Sequence, residues 1–263
     1  MSDSFKSKVP QIALAFWIIK ICATTLGETG GDALSMTLNL GYAVSTGILF
    51  AFFVLTLITQ VSAKGYHPFR YWAVILSTTM VGTTISDYLD RTAGLGYIKG
   101  SLVLVTAVAL MLALWRLATG SVSVNRITSP KVEIFYWFTI LFSNTLGTAL
   151  GDFAADKTGL GLGYEGGALV FGGALALVAL AYFKTRISHT LLFWMAFVLT
   201  RPLGATLGDE LTKSHALGGL ALGTIPSSLV IGMLLLALIA FTTARARRPQ
   251  RATAPPAGHP PKR

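Results

Sequence analysis

The sequence predicts an all-α integral membrane protein of eight transmembrane helices, arranged as four parallel two-helix repeats with both termini in the cytoplasm. Three observations carry this: a composition too apolar for water, eight long apolar segments, and a motif that recurs four times. Of 263 residues, 53% are hydrophobic and only 12% are charged, a balance outside that of soluble globular domains. A helix needs roughly 20 apolar residues to cross the hydrocarbon core. Apolar segments of that size run at about 10–36, 40–63, 69–90, 97–119, 131–155, 166–186, 189–212 and 217–244. They are too long for barrel strands, and an open sheet edge has no partners in lipid, so helices remain.

The first segment carries Lys20 and Glu28 and is followed by no small-residue cleavage site, so it reads as a retained helix rather than a signal peptide. Orientation follows from the connections. The N-terminus, the second, fourth and sixth connections and the tail hold 15 of the 21 Lys and Arg residues, against four (Arg91, Lys99, Lys157, Lys213) in the opposite connections. That bias sets both termini in the cytoplasm. Nine of the 11 acidic residues lie towards the other side. Residues 1–244 thus form one transmembrane domain, and 245–263 a basic, Pro-rich tail expected to be disordered and to rest on anionic lipid. In this setting the formal charge of +10 points to topology and not to nucleic acid.

The repeat is internal to the chain. Trp17, Trp72, Trp137 and Trp194 are each followed ten residues later by Gly27, Gly82, Gly147 and Gly204, then by Gly31-Asp32, Ser86-Asp87, Gly151-Asp152 and Gly208-Asp209. The pattern W-x9-G-x3-[GS]-D divides the chain into repeats at about 10–63, 69–119, 131–186 and 189–244. A second signal, Leu40-Gly41-Tyr42, Leu95-Gly96-Tyr97 and Leu162-Gly163-Tyr164, with a weaker Leu217-Gly218-Gly219, marks each turn into the even helix. Two crossings per unit make all units point the same way, about an axis along the membrane normal. The odd helices are the natural inner ring or paired core. The plainer even helices face lipid.

These four tryptophans with their Gly and Asp partners resemble a family of uncharacterised bacterial membrane proteins built from four tandem repeats of unknown function, each with two transmembrane segments and a tryptophan. The resemblance covers about residues 10–244 and implies a multi-pass protein of the bacterial inner membrane. It implies no substrate.

Small residues four apart let helices approach closely, so the repeated glycines are packing positions. The tryptophans fit interfacial anchors or packing wedges. The aspartates are sharper. Fifteen residues beyond each Trp, about 22 Å at 1.5 Å per residue, Asp32, Asp87, Asp152 and Asp209 fall near the extracytoplasmic edge. Carboxylates are disfavoured at a helix C-terminus, and this placement occurs four times. Glu28, Asp90 and Asp156 lie three or four residues from a repeat aspartate and Glu210 adjoins one. Such hard oxygen ligands suit Mg2+, Mn2+, Ca2+ or protons, and no histidine cluster competes.

Lys20 and Arg201 lie near the midplane, where a charge costs roughly 2.5–3.5 kcal/mol. Both must face the interior, with Glu28 and Asp209 the nearest acids in depth; Arg201 needs a partner from another helix. Pro202 is expected to kink or break the seventh helix, and Pro226 the eighth, with Ser227 and Ser228 satisfying freed groups.

The absence of G-x4-G-K-[ST], H-E-x-x-H and G-x-S-x-G motifs argues against nucleotide chemistry and intramembrane catalysis, and no cofactor is implied. The expected function is a secondary transporter or exporter of a small polar solute, with a hard divalent cation or a proton-coupled substrate slightly favoured. Glu28, Asp32, Asp87, Asp152 and Asp209 form its site, with Lys20 and Arg201 as charge partners. The alternative is a membrane scaffold or accessory protein whose Gly and Asp positions hold helices together. The bilayer and the solute are the expected partners.

Overall fold

A computed structural model describes residues 8–124, 127 and 129–247; the described residues form eight α-helices and no strand. These are α1 (Leu14–Asp32), α2 (Tyr42–Val61), α3 (Pro68–Asp87), α4 (Gly96–Thr119), α5 (Pro130–Ala155), α6 (Gly163–Lys184), α7 (His189–Thr212) and α8 (Thr224–Arg247). Single π-helical turns, Ala33–Thr37 and Tyr88–Thr92, extend α1 and α3 past their aspartates.

Local chemistry sets the boundaries. α3 and α5 open on Pro68 and Pro130, where the missing N–H has no helical acceptor to lose. The Val132 N–H donates to the Ser129 side chain at 3.4 Å, capping α5. Gly41, Gly96 and Gly163 take φ of +74°, +68° and +69°, the left-handed region open to glycine, and turn the chain into α2, α4 and α6. The fourth such turn differs from the sequence expectation. Gly223, at φ +81°, precedes α8, so the structural counterpart is Leu222-Gly223-Thr224 and not Leu217-Gly218-Gly219.

That shift removes one expected kink. With α8 starting at Thr224, Pro226 lies in its first turn, where a proline costs no hydrogen bond. α7 also runs unbroken from His189 to Thr212 through Pro202. α8 reaches Arg247, so the first three residues assigned to a disordered tail are helical; residues 248–263 lie outside the described residues.

The odd helices form a closed ring, each packed on its two neighbours in the order α1, α3, α5, α7 and back to α1. The repeated glycines set the spacing. A Cβ on Gly27 would overlap Thr79; on Gly82, Asn144 and Thr145; on Gly147, the Arg201 stem; on Gly204, Thr24. Each glycine therefore receives the residue three positions before the next module's glycine, and the fourth module returns to the first. Only a hydrogen at these positions permits this approach.

Each even helix packs mainly on the odd helix of the following module: α2 on α3, α4 on α5, α6 on α7 and α8 on α1. A module buries its own hairpin only in small part, as where α5 touches α6, so the fold closes only when all four are present. The even helices present a mostly exposed apolar surface, as at Leu55, Leu117, Leu169, Phe183, Leu229 and Met233. By length and composition, α2, α4, α6, α7 and α8 are apolar enough to cross a membrane. α1, α3 and α5 carry polar buried rows that lower their hydropathy.

Candidate functional site

Counted from each tryptophan, positions −1, +3, +7, +11 and +15 are buried in all four modules. A four-residue spacing keeps side chains on one helix face, and the rows stack into five layers spanning about 24 Å. The first layer is Phe16, Tyr71, Tyr136 and Phe193; the second Lys20, Ile75, Ile140 and Phe197. The third is Thr24, Thr79, Asn144 and Arg201, the fourth Glu28, Thr83, Thr148 and Ala205, and the last the four aspartates.

The aspartate end is a ring of four carboxylates bridged by two cations. Arg91, four residues beyond Asp87, bonds Asp87 Oδ1 through Nε at 3.1 Å and reaches Asp152 Oδ2 of the next module through Nη2 at 3.4 Å. Lys213, four beyond Asp209, lies 3.2 Å from Asp209 Oδ1 and donates to Asp32 Oδ2 of the first module. Two equivalent cations thus each join an aspartate of their own module to that of the next. The same position holds Met36 in the first module and Asp156 in the third, which gives the ring a two-fold rather than a four-fold pattern. Asp87, Asp152 and Asp209 are at most 5% exposed and Asp32 1%.

The second repeated motif serves the same end. Tyr42 OH accepts from Arg91 Nη1 at 3.3 Å, while Tyr97 lies in the electrostatic field of Asp152 and Tyr164 in that of Asp209. Each motif tyrosine thus lies at the aspartate end of the ring, beside the next module, because its helix packs on that module. In the fourth module Thr224 replaces the tyrosine and shares a hydrogen bond with Thr37 at 2.6 Å. Asp156 leaves the ring: it lies in the exposed turn after α5, where the Thr158 N–H and hydroxyl donate to it at 2.7 Å and hold its carboxyl below the ordinary value. Asp90 is buried beside Gly100, and Ser86 donates to it at 3.5 Å; Glu210 is half-buried.

At mid-depth Arg201 bonds Glu28 Oε2 through Nη2 at 2.8 Å and donates to Thr83 Oγ1 from the same nitrogen. The expected interhelical partner of Arg201 is therefore Glu28. Asp209 pairs with Lys213, and Lys20 has neither acid. Lys20 Nζ donates to Asn144 Oδ1 at 3.3 Å and sits 4.2 Å from the centre of the Phe197 ring. Arg201 to Thr83 and Lys20 to Asn144 join opposite members of the ring, so these two arms cross the axis.

The far end is closed. Trp72, Trp137 and Trp194 are buried and Trp17 half-buried; they pack as wedges, the second of the two roles expected for them. Tyr71 and Tyr136 share a hydroxyl hydrogen bond of 2.6 Å. Val9, Pro10 and Val124 line a crevice of about 10 Å3 with the aromatic layer, room for about one water molecule. Lys8, next to Val9, donates to Glu133 Oε2 at 2.9 Å and to the Val61 carbonyl at 2.8 Å.

Among the described residues, Glu28, Asp32 and Asp209 are the group whose carboxylate oxygens, all within 4.8 Å of one another, suit a metal ion. Arg201 and Lys213 are paired with these same groups. Sequence reasoning missed Arg91 and Lys213 as site residues, although both stand four residues past a repeat aspartate. It also missed the motif tyrosines, whose partners lie in the next module.

Comparison with curated proteins and with solved structures gives no match. The model of the family described as Repeat of Unknown Function (DUF347) matches four times, over residues 15–66, 70–121, 135–188 and 192–248. The four matched stretches supply all four members of the ring and of its aspartate end, and on this basis the chain belongs to the DUF347 repeat family.

Proposed function

We propose that the chain is a secondary transporter or exporter of a small polar solute, with the axis of the odd-helix ring as its route. In this reading all eight helices cross a bacterial inner membrane with the termini in the cytoplasm, where positive connections favour them. The aspartate end then faces outward and the aromatic end inward. One observation carries the proposal: four aspartates from equivalent places in four modules are buried together at one end of the ring, bridged by only two cations. Two formal negative charges are left over there, the complement of one hard divalent cation or two protons. Charged groups held inside a membrane bundle are costly and recur on ion routes.

The buried axis with side chains in all five layers favours a second reading, a membrane scaffold whose ring is purely structural. Proteoliposomes separate the two. Purified protein tested against divalent cations and organic acids, with and without a proton gradient, is expected to show flux that Asp152→Asn abolishes while the variant still accumulates. No flux for any solute, with unchanged partner retention in Asp152→Asn, supports the scaffold.

A further inference from the structure

We infer that the middle of the ring axis binds one small monovalent anion, a halide or a compact oxyanion such as nitrate or formate, held between Arg201 and Lys20. The second to fourth layers contain two cations and one carboxylate, Lys20 and Arg201 against Glu28, all at most 3% exposed. Glu28 is already taken by Arg201 at 2.8 Å. The ring aspartates are bridged elsewhere, and Asp209 stands eight residues, about 12 Å, along α7 from Arg201. Lys20 therefore has no carboxylate partner in a core shielded from water, only Asn144 Oδ1 and the face of the Phe197 ring, and its ammonium form needs a counter-charge there.

Hydrogen bonding gives the same answer independently. Arg201 spends Nη2 on Glu28 and Thr83, while Nε and Nη1 are buried without a partner. Lys20 has three donors and, among the described residues, one acceptor, Asn144 Oδ1 at 3.3 Å. The neighbouring hydroxyls do not take up these donors: Thr24 donates to the Thr200 carbonyl at 3.1 Å and Thr79 to that of Ala23 at 3.3 Å, and neither accepts from Lys20 or Arg201 among the described residues. A buried donor left unpaired costs as much as a broken hydrogen bond. Water would satisfy the donors but leave the charge; an anion does both.

Size follows from the surroundings. The Arg201 stem lies against Gly147, where not even a Cβ fits, and Ile75, Ile140 and Phe197 are fully buried in the adjoining layer. A large organic anion has no room, and the charge surplus of one selects a monovalent species. The inference does not require the transport reading, because binding is measurable without flux.

The test uses the full chain, purified in detergent at fixed pH and ionic strength, with gluconate replaced stepwise by chloride, bromide, nitrate or formate. Thermal unfolding and equilibrium binding of radiolabelled chloride are followed together. Saturable stabilisation by small anions near one site per chain is expected, with affinity at least ~10-fold weaker in Lys20→Gln, the equivalent of about 1.4 kcal/mol. Arg201→Lys keeps the charge but loses the guanidinium donors, and is expected to weaken oxyanions more than halides. Wild-type protein insensitive to every small anion overturns the proposal. So does a Lys20→Gln variant that binds as tightly as the wild type, because the anion then sits elsewhere. An absence of flux in liposomes, with saturable Lys20-dependent binding intact, would remove the transport reading and leave this site standing.

Discussion

Arg91 and Lys213 are counterparts two modules apart, each bonded back to the aspartate four residues before it and across to the aspartate of the following module. The two bridges differ in exposure: the Arg91 side chain is 34% exposed and that of Lys213 14%. Solvent screens the first more strongly. Arg91→Gln is expected to lower stability by about 1 kcal/mol, and Lys213→Gln by about 3 kcal/mol, towards the range for breaking a buried pair. Unfolding midpoints in detergent check the order. A larger loss for Arg91→Gln than for Lys213→Gln contradicts it.

Glu28 and Arg201 should show strong mutual dependence. Glu28→Gln leaves a buried guanidinium without its acid, a change that typically costs about 3–5 kcal/mol. The double variant Glu28→Gln/Arg201→Met removes the stranded charge as well. It is expected to be more stable than Glu28→Gln alone, the reverse of additive behaviour. A double-mutant cycle read by chemical unfolding decides it, and additive losses would show that the pair contributes no coupling.

The repeated glycines predict a contrast between two alanine substitutions. A Cβ at Gly204 meets both the side chain and the backbone of Thr24, whereas one at Gly173 on α6 meets open space. Gly204→Ala should destabilise by about 1–3 kcal/mol through overpacking. Gly173→Ala is expected to be neutral or slightly stabilising, because alanine is the better helix former. Equal melting temperatures for the two variants would remove the ring-closing role of Gly204.

Much of the ring was legible in the sequence because it rests on one-dimensional regularities. The tryptophan, glycine and aspartate recur in register, and their offsets place them along one helix. What the offsets cannot convey is which neighbour each face meets. Arg91 and Lys213 occur in only two of four copies, so a search for residues present in every repeat passes over them; their pairing with Asp152 and Asp32 depends on ring order. The Lys20 arm looked like half of an ion pair because Glu28 is close in depth, yet Glu28 faces Arg201. Pro226 was assigned to a kink because the apolar run from residue 217 conceals a turn at Gly223. Apolar composition marks the extent of a buried or lipid-facing stretch and not the residue where hydrogen bonding begins.

The polar links across the ring are unevenly shared, and this predicts where it parts. Modules two and three are tied by Arg91 to Asp152, by Asn144 to Thr78 at 3.0 Å and by Tyr71 to Tyr136. Modules four and one are tied by Lys213 to Asp32, Arg201 to Glu28 and Thr24 to the Thr200 carbonyl. Between α5 and α7 no side-chain hydrogen bond or ion pair joins the described residues; Gly147 and Gly151 simply receive Arg201, Pro202 and Ala205. Small apolar contacts separate at less cost than buried ion pairs, so the ring should open first at this seam, with the α1–α3 side, where Thr79 and Thr83 donate to the Ala23 and Gly27 carbonyls, acting as the hinge. The position of a Cβ on Gly151 lies 3.1 Å from Ala205 Cβ, near the spacing a disulfide takes up after slight adjustment. With Cys22→Ser as background, Gly151→Cys/Ala205→Cys should form a bridge on oxidation and slow amide exchange along α5 and α7 until reductant is added; under the proposed transport function it should also stop flux. Amide exchange along α5 and α7 that the bridge leaves unchanged would place the moving seam elsewhere in the ring.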